Sequence, residues 1–212
     1  MTNKINLDAL TVQISAMLDM QNAMNSKVHP QWFEQNFEFY RAIWVECAEM
    51  LDHYGWKWWK HQQPDIDQVQ LELVDIFHFG LSCKIIENQD LTVLASEIAT
   101  EMQRPTQGND FKESLELLAT HALTSKGFDV PSFAGCLLQC DMTADNLYRS
   151  YVGKNSLNFF RQDHGYKDGT YLKVWNGRED NEYLVDIINR LDSSAVDFKE
   201  QVYQALEDEY PK

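Results

Sequence analysis

Very little in this chain can stop a helix. Only 9 glycines and 5 prolines are spread over 212 residues, and apolar residues recur at the three-and-four spacing of a helical stripe from end to end. Leu7, Leu10, Ile14 and Leu18 form one such stripe. Phe33, Phe37, Tyr40, Trp44, Cys47, Leu51 and Tyr54 form a second, on a helix expected over 31–54. A third helix is expected over 67–87, and others over 91–103, 110–123, 132–151 and 181–208. Asn109 or Asp110, followed by Glu113, has the form of a capped helix start. Breaks fall at Arg104-Pro105, at Lys126-Gly127 and along the polar stretch from Gly153 to Gly177. No repeat or linker composition divides the chain, so the expectation is one all-α domain, a helical bundle over residues 1–212.

The formal charge of −15 argues against nucleic-acid polymers and anionic membranes as partners. No apolar run reaches membrane-spanning length, and MTNKINLDAL lacks the apolar core of a secretory leader, so a cytoplasmic location is expected. Cys47, Cys83, Cys136 and Cys140 lack zinc-ligand spacing and read as buried free thiols of a reducing compartment.

Two acidic pairs interrupt otherwise apolar helices, Glu46-x-x-Glu49 in the second and Glu72-x-x-Asp75 in the third. Acids three apart share a helical face, and two such faces can meet between neighbouring helices. Two unit charges about 5 Å apart repel by roughly 3 kcal/mol at an effective dielectric near 20. Four carboxylates gathered together therefore need protons, abundant water or cations. With oxygen ligands alone, the fitting cation is Mg²⁺, or Mn²⁺ in its place. The opposing reading puts both pairs on solvated faces, where most Glu and Asp reside. Ala42, Val45 and Met50 around the first pair, and its recurrence on the next helix, favour an interior cleft with a metal site.

Two further features stand open. Gln21 and Asn25 continue the stripe of Leu10, Ile14 and Leu18, where apolar residues belong. Either the helix ends near Gln21 and both amides are solvated, or they are buried and offer a donor and an acceptor to a planar ligand. The segment 153–181 gathers Lys154, Arg161, Lys167, Lys173 and Arg178 among glycines. It reads equally as an anion clamp or as a solvated loop.

In content and order, four blocks resemble one family: Gln21 with Asn25, RAIWVECAEMLDHYGWKWWK (41–60), LELVDIFHFGLS (71–82) and KNSLNFFRQDHGYKDGTYLKVWNGREDN (154–181). This is the all-α dimeric dUTPase family, within the wider all-α nucleoside triphosphate pyrophosphohydrolases. The likeness runs over most of the chain, though 88–145 carries none of its motifs. Phe77 stands where a tryptophan is familiar, and Gly80 where a larger residue is.

Carried over residue by residue, the resemblance implies that Glu46, Glu49, Glu72 and Asp75 hold two or more Mg²⁺ ions. It implies hydrolysis of dUTP, and of dUDP, to dUMP by a metal-activated water, with pyrophosphate leaving from dUTP. Glu49, in preference to Glu46, is the acid that orients or deprotonates that water. Gln21 and Asn25 become readers of uracil, with Trp56, Trp58 and His78 as walls around the base and deoxyribose; Trp59 fits core packing equally well. Lys154, Asn158, Arg161, Lys167 and Lys173 embrace the phosphates. Asn181, beside Asp180, completes that site or caps the following helix. The molecule is expected to be a homodimer. Three rivals remain: a related enzyme acting on dCTP or another nucleotide, a di-iron carboxylate bundle using Asp75-x-x-His78, and a helical interaction protein without catalysis.

Overall fold

A computed structural model describes residues 6–193, 195 and 197–211. The N-terminal residues 1–5, and residues 194 and 196 within the helix expected over 181–208, lie outside the described residues. The described chain is all-α except for one short hairpin. It divides into two compact units, Met1–Leu147 and Tyr148–Lys212.

The first unit contains α1 (Leu7–Val28), α2 (Phe39–Tyr54), α3 (Ile66–Glu87), α4 (Leu91–Glu101), α5 (Phe111–Ser125) and α6 (Val130–Gln139). Short acids and amides set their starts. Asn6, Asp65, Asp90, Asp110 and Asp129 each accept hydrogen bonds from backbone N–H groups of the first turn. Asp110, rather than Asn109, caps α5, and the Glu113 carboxylate reaches back to the Asn109 N–H at 2.8 Å.

Helix α3 is apolar nearly all round, burying Val69, Leu73, Val74, Ile76, Phe77, Leu81 and Ile85, and so forms the centre of this unit. It packs chiefly on α2, while α1 packs on α4 and α3. Gly80 is explained by this crowding: a Cβ there would lie 2.7 Å from ring atoms of Phe128. Phe77 stacks on Phe133 with ring centroids 4.9 Å apart.

Helix α2 begins later than the aromatic stripe predicts. Trp32–Glu34 forms a separate 3₁₀ turn, and Asn36 takes a left-handed φ of 52° that ends it. Ile43, Cys47 and Met50 are the buried face of α2, whereas Phe33, Phe37 and Trp44 are exposed.

The helix expected over 132–151 is two. After α6, Asp141 adopts φ 51°, and the Met142 N–H bonds to Leu137 O at 3.0 Å while the Asp141 N–H bonds to Leu138 O at 3.2 Å. This is a Schellman stop with aspartate in the place usually taken by glycine. Thr143 Oγ1 then accepts from the Asn146 N–H at 3.1 Å and starts α7 (Ala144–Asp163).

Most of α7 lies in the second unit, and it overturns the expectation of a loop from Gly153 onward. Gly153 is a packing residue: a Cβ there would come within 2.6 Å of the Ile188 methyl Cγ2. The hairpin pairs β1 (Val174–Trp175) with β2 (Arg178–Glu179) through Asn176 and Gly177, both at positive φ, as a type I′ turn requires. Helices α8 (Asp180–Arg190) and α9 (Phe198–Glu209) divide the segment expected as one helix. The ring of Phe160 is surrounded by those of His164, Tyr171, Trp175, Tyr203 and Tyr210.

Candidate active site

Glu46 on α2 meets Glu72 and Asp75 on α3, with one carboxylate oxygen from each lying within 4.8 Å of the others. The closeness has an electrostatic cost. Burial, then the charge of Asp75, a hydrogen bond with Glu72 and the charges of Glu72 and Glu49 push the Glu46 carboxyl up to about 8. A proton thus does for the cluster what a divalent cation would do more fully. Oxygen-only donors held this close suit a hard cation such as Mg²⁺. Glu49 is exposed and stands outside this group of three, although its charge is felt at Glu46. Of the four acids expected in an interior cleft, three are gathered and Glu49 is at the surface.

His53 was passed over as a site residue. Its Nε2 lies 3.5 Å from Glu72 Oε1, and its place seven residues after Glu46 on the same helix face was the available signal. No histidine is in the acid group among the described residues, and the His78 ring turns to Gln21, so the Glu-x-x-His pairs of a di-iron bundle are not assembled.

The amide question has a clear answer. Helix α1 continues to Val28, and Gln21 and Asn25 are 4% and 9% exposed. Gln21 Nε2 donates to Asn25 Oδ1 at 3.0 Å and to Ser82 Oγ at 2.9 Å. Asn25 Nδ2 donates to Ser82 Oγ at 3.0 Å, and Gln21 Oε1 lies 2.7 Å from His78 Nδ1. A carbonyl oxygen can only accept, so His78 Nδ1 is the donor in this bond. Ser82 is the hub of this network and was missed, although it shares the α3 face of Glu72, Asp75 and His78.

The tryptophans follow the break at Gly55 and are exposed. Trp58 is 90% exposed, Trp59 is at the surface too rather than in the core, and Trp56 Nε1 donates to Asp52 at 3.0 Å. In the second unit the basic residues fall into two kinds. Lys154 is 4% exposed, with Nζ on Asn181 Oδ1 at 3.0 Å. Arg161 forks onto the fully buried Asp180 at 2.8 and 2.9 Å, and the Tyr171 hydroxyl donates to the same carboxylate at 2.8 Å. Asn158 Oδ1 lies 3.4 Å from Arg161 Nη1. Lys167 and Lys173 are exposed, the latter 3.3 Å from Glu179. Glu179 and Glu182 form the capping box of α8, so neither Asp180 nor Asn181 is its N-cap.

Burial pushes the Cys47, Cys83 and Cys140 thiols up to about 12, and all four cysteines are free and buried. No helix of the described residues is long and apolar enough to cross a membrane.

A family model described as dUTPase matches residues 13–166, well over half of the chain. No curated protein matches it. The matched stretch contains the amide network, the acid group and α7. The chain belongs to the dUTPase family, and its activity is that of a dUTP diphosphatase, a hydrolase.

Proposed function

We propose that this dUTP diphosphatase is Mg²⁺-dependent and hydrolyses dUTP, and dUDP, to dUMP, with pyrophosphate as the second product from dUTP. The reading is carried by the convergence of Glu46, Glu72 and Asp75 within 4.8 Å in a chain of this family. Those three carboxylates, joined by Glu49, are the residues for two or more cations, with Mn²⁺ as a substitute. When bound, the cations offset the carboxylate charge and activate water at neutral pH. Glu49 suits the role of orienting or deprotonating the water, because its exposed carboxylate lies beside the group rather than within it.

Gln21 and Asn25 meet the uracil edge, while His78, Trp56 and Trp58 bound the base and sugar. Lys154 and Arg161 bind the phosphates, with directions preset by Asn181 and Asp180; preset charges stabilise a developing anion without reorganising. Asn158, Lys167 and Lys173 share that role. Residues 1–212 act as one catalytic domain, assembled as a homodimer in the cytoplasm.

Product release from a panel of deoxynucleoside triphosphates and UTP, run in Mg²⁺ and in EDTA, tests this reading. Mg²⁺-dependent turnover confined to dUTP and dUDP is expected. Equal turnover of dCTP would move the substrate, and full activity in EDTA would remove the metal.

A further inference from the structure

Resting on the reading of Gln21 and Asn25 as the groups that meet uracil, the geometry points to Ser82 as the residue that fixes their donor and acceptor atoms, and through them the choice of uracil over cytosine. Ser82 is fully buried on α3. Its Oγ lies 2.9 Å from one terminal atom of Gln21 and 3.0 Å from one of Asn25. The amides also touch each other at 3.0 Å, through the Gln21 atom that faces Ser82 and the Asn25 atom that does not.

The oxygen and nitrogen of a carboxamide exchange places by a half-turn, so their assignment comes from the surrounding chemistry. Only one assignment satisfies this triangle. Were Gln21 to turn its oxygen to Ser82, Asn25 would have to give Gln21 an N–H and show its own oxygen to Ser82. The hydroxyl would then have to donate to two oxygens, and it has one hydrogen. With Gln21 Nε2 facing Ser82, both amides donate to Oγ, and the hydroxyl hydrogen goes to the His78 carbonyl at 3.0 Å. The same choice turns Gln21 Oε1 toward His78 Nδ1 at 2.7 Å and holds the ring proton there.

The lock has a consequence for the base. Asn25 Nδ2 carries a second hydrogen besides the one given to Ser82, so its fixed orientation offers a donor. A donor suits the O4 carbonyl of uracil. Cytosine has an amino group at that position, and donor would meet donor. With Ser82→Ala the opposite arrangement, Gln21 Oε1 accepting from Asn25 Nδ2, no longer forces a clash of lone pairs. Asn25 can then show its oxygen to an amino group.

Steady-state kinetics on dUTP and dCTP, with the full chain as wild type, Ser82→Ala, Ser82→Thr and Asn25→Ala, test the lock. Ser82→Ala is expected to lower the dUTP to dCTP ratio of kcat/KM by about tenfold or more, through KM rather than kcat. Ser82→Thr, which keeps the hydroxyl, is expected to keep the wild-type ratio. Proportional loss on both nucleotides in Ser82→Ala, with the ratio unchanged, would mean that Ser82 only supports the fold, and would overturn the proposal. Should Ser82→Ala not fold, Ser82→Cys, whose thiol is a weak acceptor, has to show the same fall in ratio. A wild-type ratio in Asn25→Ala would sink the reading of the amides, and the lock with it. A lower ratio in Asn25→Ala beside an unchanged one in Ser82→Ala would sink the lock alone.

Discussion

Glu46 carries the clearest signature at the scale of single residues. Its carboxyl is pushed up to about 8, first by burial and then by the neighbouring carboxylates. A raised carboxylic acid favours the fold below its unfolded value, and that contribution is lost as pH rises through about 8. In the proposed function, Mg²⁺ takes the place of that proton. The Tm difference between Mg²⁺ and EDTA samples should therefore widen as pH rises toward about 8, with about one proton released per chain on binding near pH 7. A pH-independent difference would mean that the cation binds elsewhere. Arg161 offers a second test. Arg161→Met leaves the buried Asp180 carboxylate with Tyr171 but without its cation, and should lower stability by about 3 kcal/mol. Exposed Lys167→Met should change stability by less than about 0.5 kcal/mol; equal effects in urea melts would contradict this difference. The acids were legible in the sequence because charge on an apolar helix is conspicuous. Glu49 falls at the surface because Ile43, Cys47 and Met50 form the inward face of α2, and of the aromatic stripe only Cys47 shares it. Ser82 was given no role because its place on the face of Glu72, Asp75 and His78 does not say what a serine does there until its partners are known.

At the scale of elements, periodicity revealed where helices exist but not where they stop. Asp141 ends α6 in a left-handed conformation that glycine would have announced. Gly153, read as a breaker, is instead where a side chain would strike Ile188. The Asn176-Gly177 pair was a readable hairpin signal, masked by the helical character of everything around it. Gly153→Val should destabilise the protein by about 1–3 kcal/mol through overpacking. Adding Ile188→Ala should return part of that loss. A purely additive double mutant in equilibrium unfolding would show that the two positions do not press on each other.

At the scale of the whole molecule, a charge of −15 meets a substrate that is itself strongly anionic. The acid group cannot welcome a triphosphate without cations, so dUTP affinity should fall at least about tenfold in EDTA; equally tight binding in EDTA and Mg²⁺, read by equilibrium dialysis, would contradict this. The all-α class and the dUTPase family were legible because the motifs occur in order along the chain. Residues 88–145 carry helices α4 to α6 with no such motif, and their part in the fold came only from packing. The measurement that bears most directly on the account is dUMP formation at saturating Mg²⁺ by wild type and Glu72→Gln, which keeps the shape of the side chain and removes its charge. A loss of roughly a thousandfold in kcat with the fold intact is the predicted result. Retention of wild-type turnover by Glu72→Gln would contradict the claim that the Glu46, Glu72 and Asp75 group is where this enzyme does its chemistry.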